Sequence, residues 1–236
     1  MPANISIVIP TYNEAGGIQQ LVQYLLTSGG ESILEVIVSD GGSTDNTPAL
    51  ASAAGAKVVC SPKKGRAAQM NSGAASATGE ILYFLHADTF PPADFHKDII
   101  KNCRSGAGAG CFRLQFDEKH WFLKVNAWFT RFDLDHLRFG DQSLFILKYD
   151  FVRIGGFSED HVVMEDQEII YRIKEVTQFK VLPAAVVTSA QKYRENGVYR
   201  LQFIFLIIWL LYYLKVPQQK LVSIYNRLII KSKLQD

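Results

Sequence analysis

Cysteine is sparse and unpatterned. Cys60, Cys103 and Cys111 are an odd set of three, with neither C-x-x-C spacing nor a histidine partner pattern. That excludes a disulfide framework and a zinc site of the usual spacing, and points to a reducing compartment, the cytoplasm. An excess of one charge is also missing: a net charge of +2 leaves no basic footprint for nucleic acid. No basic-then-apolar leader opens the chain. The longest uninterrupted apolar run, Phe203 to Leu214, falls short of the roughly 20 residues that span a bilayer.

What is present suits a folded α/β protein. With 236 residues, 48% hydrophobic and 20% charged, the chain can bury a core as one large or two small domains. Ile5 to Ile9 read as a first strand stopped by Pro10. A helical pattern follows, with Ile18, Leu21, Val22 and Leu25 on one face. Leu34 to Val38 make a second strand, and Thr47-Pro48 the cap and first residue of another helix. Ala56 to Cys60 form a third strand, Gly65 to Ala77 an alanine-rich helix ended by Gly79, and Ile81 to Leu85 a fourth strand. This alternation predicts right-handed βαβ units and a parallel sheet through about Asn102.

The unalternating run Ile81 to Leu85 suggests a strand covered on both faces, with the ligand crevice beyond its carboxyl end. His86-Ala87-Asp88-Thr89 stands there. Asp88 is placed to hold a hard divalent cation through oxygen; its plainer reading is a cap for the helix entered through Pro91 and Pro92. Asp40 to Asp45 put two carboxylates and two hydroxyls around Gly41-Gly42, where backbone can approach a ligand and Asp40 can accept from a base N–H or a ribose hydroxyl. Ser43, Thr44 and Asp45 also read as turn and cap residues.

Further on, Gly110 to Phe116 alternate as a half-exposed strand, Trp121 to Phe132 fit an aromatic helix, and Gly140-Asp141-Gln142-Ser143 precede a strand at Leu144 to Leu147. Ile154-Gly155-Gly156-Phe157 lead to Glu165-Asp166 at the start of a helix carrying Ile169, Ile170 and Ile173. A carboxylate there is held ionised by the helix dipole and free N–H groups, and an ionised carboxylate can take a proton from a hydroxyl. The plainer reading is an acidic first turn that stabilises its own helix. In the tail, the apolar run lies among an excess of cations from Lys192 onward, including Arg200, Lys215, Lys231 and Lys233. This favours peripheral attachment of residues 200–216 to an anionic membrane surface; the alternatives are a helix packed on the core and a homodimer contact.

Pro10-Thr11-Tyr12-Asn13-Glu14, Ser39 to Asp45, Gly65 to Gly73 and the Asp88 loop, four motifs in order with matching spacing, resemble the nucleotide-sugar half of family 2 glycosyltransferases. The resemblance covers the chain to about Lys174. It implies a GT-A fold, a Rossmann-like mixed sheet flanked by helices, over residues 1–190, with a nucleotide-sugar half (1–102), an acceptor half (103–190) and a helical tail (191–236). Asp40 would contact the nucleotide base, and Pro10, Thr11, Asn13, Glu14 and Ala87 would line the donor pocket. Arg66, Asn71 and Gly73 would lie beside the donor, Arg66 meeting phosphate charge. Asp88 would hold Mn2+ or Mg2+, Asp166 would be the general base with Glu165 assisting, and transfer from a nucleotide-sugar donor to an acceptor hydroxyl would proceed with inversion.

Two positions depart from the family pattern. His86 stands where the first aspartate of Asp-x-Asp is usual; it reads as an altered metal ligand, a donor contact or a satisfied strand-end histidine. Leu85-His86-Ala87-Asp88-Thr89 resembles the subgroup called arsenosugar-biosynthesis glycosyltransferases. Gln191 to Arg194 resemble the Gln-x-x-Arg of processive members, but Glu195 replaces the tryptophan, so polysaccharide synthesis is not implied. Of the other classes, a nucleotidyltransferase would need a glycine-rich basic loop where Thr11 to Glu14 stand. A non-catalytic, membrane-associated nucleotide-sugar-binding protein would not need Asp40, Asp88 and Asp166 together.

Overall fold

The computed structural model describes residues 4–134 and 140–230. Among them an eight-stranded sheet runs in the order β3-β2-β1-β4-β7-β6-β8-β5. Its strands are β1 (Ile5–Thr11), β2 (Ile33–Asp40), β3 (Lys57–Cys60), β4 (Ile81–Phe84), β5 (Thr89–Phe90), β6 (Ala109–Phe116), β7 (Leu144–Leu147) and β8 (Phe179–Thr188). The first four neighbours are parallel, as the strand-helix alternation predicts. β7 then pairs antiparallel with both β4 and β6, which makes the sheet mixed.

Side-chain alternation along β1 divides the core in two. Ile5, Ile7 and Ile9 pack under Ile18, Leu21, Val22 and Leu25 of α1 (Ile18–Ser28) and under Phe95 and Ile99 of α4 (Phe95–Arg104). Val8 points the other way. It joins Ala67, Met70 and Ala74 of α3 (Arg66–Ser76), Phe151 of α6 (Lys148–Arg153), and Ile169, Ile170 and Ile173 of α7 (Glu165–Val176). Small residues let α3 approach closely: a Cβ on Gly73 would run into Val8 Cγ1.

Three expectations are corrected. Pro10 does not end β1, which continues to Thr11. Val8 bonds towards β4, accepting from Leu85 N at 3.0 Å; Pro10, two residues on, turns its N–H-less side the same way, where β4 has already ended. The first turn of α2 (Thr47–Ala53) is capped by Asp45, whose Oδ1 accepts the Thr47 N–H at 3.0 Å, while the Thr47 hydroxyl accepts from Glu14 N. β6 is not half-exposed: flanked by β7 and β8, it exposes only Gln115 and part of Arg113.

The remaining helices are α5 (Trp121–Phe129), α8 (Gln191–Asn196), α9 (Val198–Tyr213) and α10 (Gln218–Leu228). Leu201, Ile204 and Ile208 of α9 pack with Val222, Tyr225 and Ile229 and with Val163, a third small core beside the start of α7. Among the described residues no helix is long and apolar enough to cross a membrane. Lys231 and Lys233, counted among the tail cations, lie outside the described residues.

Candidate active site

A cleft of about 480 Å³ opens beyond the carboxyl ends of β1 and β4. Pro10, Thr11, Glu14, Arg66, His86, Ala87, Asp88, Glu165 and Asp166 all line it. The other residues singled out by sequence stand behind its walls. Asp40 is buried and spends its carboxylate on its own loop, accepting from Gly42 N at 2.9 Å, Ser43 N at 2.8 Å and the Ser43 and Thr11 hydroxyls. Asn13, with φ 55°, accepts from Thr44 N and so latches the β1 loop to that turn. Asn71 clamps the segment before α7, exchanging hydrogen bonds of 2.9 Å with Phe157 N and O. Gly73 serves the α3–β1 packing described above.

Asp88 leaves β4 on a turn closed by Thr89 N to His86 O at 3.2 Å. Its backbone oxygen accepts from Ser189 N at 3.1 Å, and its exposed carboxylate takes a 3.3 Å hydrogen bond from the Thr89 hydroxyl. His86 has a partner that the sequence did not announce: its Nδ1 lies 3.1 Å from Asp141 Oδ1. Burial pushes the Asp141 carboxyl up, but the His86 hydrogen bond and charge, with Lys192 and Arg66 beyond, bring it down to about 2.

Asp141 belongs to a short 3-10 turn, Gly140–Gln142, that reaches both sides of the cleft. The Gly140 N–H donates to Asp166 Oδ2. A Cβ at Gly140 would stand 2.9 Å from Asp166 Oδ2 and 3.0 Å from the His86 ring, so any side chain there would have to displace the Asp166 carboxylate or the His86 ring. Buried Gln142 anchors the turn by donating to Phe112 O at 3.1 Å. Sequence reading took 140–143 only as the approach to β7; the chemical signal, an aspartate beside a glycine, was too common to stand out.

Glu165 and Asp166 open α7 after Met164, a non-glycine residue at φ 69°. Glu165 is 2% exposed and pairs with Arg66 at 3.0 Å, which raises the Arg66 pKa. Asp166 does not behave as the helix dipole alone would have it. Burial first, then the Glu165 charge, push its carboxyl up to about 6, against Arg66 and the Gly140 N–H, which pull it down. The result is a carboxyl that titrates near neutrality rather than a strongly acidic one.

Several lining residues were missed. Gln69, buried on α3, donates to Thr11 O at 2.5 Å. Lys192 and Tyr193 on α8, Phe205 and Trp209 on α9, and Tyr225 on α10 also line the cleft. The tail therefore contributes to the cleft, and nothing in an apolar run announces which face of it does.

A mixed α/β sheet whose parallel half ends in a cleft lined by Asp88, with Glu165 and Asp166 of α7 lining the same cleft, defines the GT-A-like class. Likeness to solved structures supports the fold. A mannosyltransferase from Pyrobaculum calidifontis in complex with GDP-Man and Mn2+ superposes with a TM-score of 0.71 at 19% identity, covering 89% of this chain and 63% of that one. Glucosyl-3-phosphoglycerate synthase from Mycobacterium tuberculosis, in complex with Mn2+, UDP and glucosyl-3-phosphoglycerate, gives 0.66 at 17%, covering 91% and 81%. The family model described as glycosyl transferase family 2 matches residues 6–157, and the chain belongs to that family. Among curated relatives, glucosyl-3-phosphoglycerate synthase from Mycolicibacterium smegmatis is 34% identical over 96 residues, 37% of this chain. That match spans 32% of the relative's own length.

Proposed function

We propose that the chain transfers a sugar from a nucleotide-activated donor to an acceptor hydroxyl, with inversion at the anomeric carbon. The observation that carries this reading is the cleft itself, in which Asp166 stands with Asp88 and Arg66; burial and the Glu165 charge, which raise the Asp166 carboxyl's pKa, support it. The acceptor O–H gives its proton to Asp166 as its oxygen attacks the anomeric carbon from the face opposite the leaving group. The bond to the donor's diphosphate oxygen breaks, and the nucleoside diphosphate departs with the electron pair. Arg66 meets the phosphate charge, while Glu165 holds Arg66 and keeps the Asp166 pKa high.

The cleft fits a divalent cation of the kind named in the complexes of both structural relatives. Among the described residues there is no cluster of three or more acidic, histidine or cysteine ligands. One exposed carboxylate, Asp88, suits Mn2+ or Mg2+ that takes its remaining ligands from substrate phosphates and water. With Nδ1 engaged by Asp141, His86 offers Nε2 to the donor or the cation. When bound, the cation supplies Lewis-acid neutralisation of the departing diphosphate. The narrower placing in the arsenosugar-type subgroup rests on Leu85-His86-Ala87-Asp88-Thr89 alone.

Calorimetric titration with a panel of nucleoside diphosphates, in Mn2+ and then in chelator, tests the reading. Metal-dependent binding of one nucleotide is expected and identifies the donor class. No binding of any nucleotide in either condition overturns it.

A further inference from the structure

The cleft mouth has two helical lips. Asn126 and Phe129 of α5 form one, and Gln202, Phe205 and Trp209 of α9 the other. They are tied by Asn126 Nδ2 donating to Gln202 Oε1 at 2.9 Å and by the Tyr199 ring against His120 and Phe122, at 5.6 and 5.4 Å between centroids. At about 100° per residue, the helix face next to each lip carries an exposed apolar row. Trp121, Val125 and Trp128 stand on α5; Tyr199, Phe203, Leu206 and Leu210 stand on α9. Trp121 is 61% exposed and Phe203 63%, too much for side chains that merely rim a core. All three tryptophans of the chain, Trp121, Trp128 and Trp209, lie on these two helices.

Charge selects the occupant. Residues 120–132 and 198–230 contain Lys124, Arg131, Arg200, Lys215, Lys220 and Arg227 and no aspartate or glutamate. Two copies meeting here would bring cations against cations. An anionic bilayer satisfies both the apolar rows and the cations, and tryptophan and tyrosine suit the headgroup boundary.

We propose that α5 and α9 dock the cleft mouth on an anionic lipid surface, and that the acceptor is an amphiphile presented there, its hydroxyl reaching Asp166 and its apolar part lying along Phe129, Phe205 and Trp209. The acceptor half of this inference rests on the transferase reading above; the docking half does not.

The full chain is mixed with vesicles whose acyl chains are brominated, made of phosphatidylcholine alone or with phosphatidylglycerol. Tryptophan emission is expected to be quenched by the anionic vesicles and to recover with added salt. The double variant Phe203→Ser, Leu206→Ser keeps every tryptophan and changes only exposed positions. Its vesicle partition, read by co-sedimentation, is expected to drop roughly ten- to hundredfold with an unchanged melting temperature. Absence of quenching overturns docking, as does a dimer in sedimentation that the same variant splits, since the face would then belong to a second copy. Nucleoside diphosphate binding with Mn2+, measured without vesicles, separates the two readings. Nucleotide binding without quenching sinks this inference alone. Quenching without nucleotide binding supports docking and overturns the transferase reading together with the amphiphilic acceptor.

Discussion

At Asp166 a single carboxyl is held between opposing influences. As the proposed base it must be deprotonated for transfer, so kcat/KM should fall as the pH drops through about 6. Glu165→Gln removes the like charge and leaves Arg66 in place; Asp166 then ionises more easily, and the acid limb should move to lower pH. A limb that stays where it was would mean that another group titrates. Asp166→Asn should lower transfer by roughly 10²–10⁴-fold, the usual worth of a general base, with nucleotide affinity nearly intact. Asp88→Asn should instead weaken metal-dependent nucleotide binding, and equal binding losses in both variants would contradict the division of roles. Stability carries the opposite sign to activity. Because folding raises this carboxyl's pKa, the group favours the folded chain least above pH 6, and its penalty is relieved as pH falls towards the unfolded value of about 4. The helix that the pair opens was legible from the spacing of Ile169, Ile170 and Ile173, but an acidic first turn is common, and only the family resemblance singled out Glu165 and Asp166. The direction of the pKa was not legible, because it depends on the Gly140–Gln142 turn and α3 closing over the pair.

Elements with a strong period were legible, and those that break a local rule were not. Ile18, Leu21, Val22 and Leu25 face the core of α1 as their spacing requires, and Ile169, Ile170 and Ile173 do the same on α7. β8 went unread because Pro183 interrupts it, and proline argues against an interior strand. The ladder accommodates it by a slip: Phe112 pairs with Leu182 and Arg113 with Ala185, so Pro183 and Ala184 bulge out of register. α6, Lys148–Arg153, is too short to display a period. Gly73 of α3 was read as a donor neighbour and Gly156 as part of the approach to α7, whereas packing explains both. Gly73→Ala should destabilise by about 1–3 kcal/mol through overpacking against Val8. Gly156→Ala combines φ 71° with an approach of 2.7 Å to Asn71 Oδ1 and should cost at least as much. In a chain of this size each kcal/mol lowers the melting temperature by about 2–4 °C, which thermal unfolding resolves. Gly140→Ala should differ, losing transfer with little change in melting temperature, because its Cβ presses on His86 and Asp166 rather than on the core.

Across the whole molecule, the C-terminal helices and the proposed base form one mechanical unit. Gln218 at the start of α10 exchanges two hydrogen bonds of 3.1 Å with Val163 N and O, and Val163 also sits in the apolar cluster with Leu201, Ile204 and Ile208. Tyr213 at the end of α9 donates to Gln167 Oε1 at 3.1 Å. Residues 163–167, which include the strained Met164 and the Glu165–Asp166 pair, are thereby gripped from both α9 and α10. No motif or composition signal reveals such a grip, since two glutamines and a tyrosine in a sequence read as side chains that face solvent. If the grip sets the position of Asp166, Gln218→Ala should lower kcat about tenfold while leaving nucleotide affinity and metal dependence unchanged, because a misplaced base slows proton transfer without touching the donor side. Gln218→Glu, which keeps the acceptor for Val163 N but loses the donor to Val163 O, should fall between the two. A loss of nucleotide affinity matching the loss of kcat would assign α10 to general stability instead. Equal kcat in all three proteins would free the 163–167 segment from the tail.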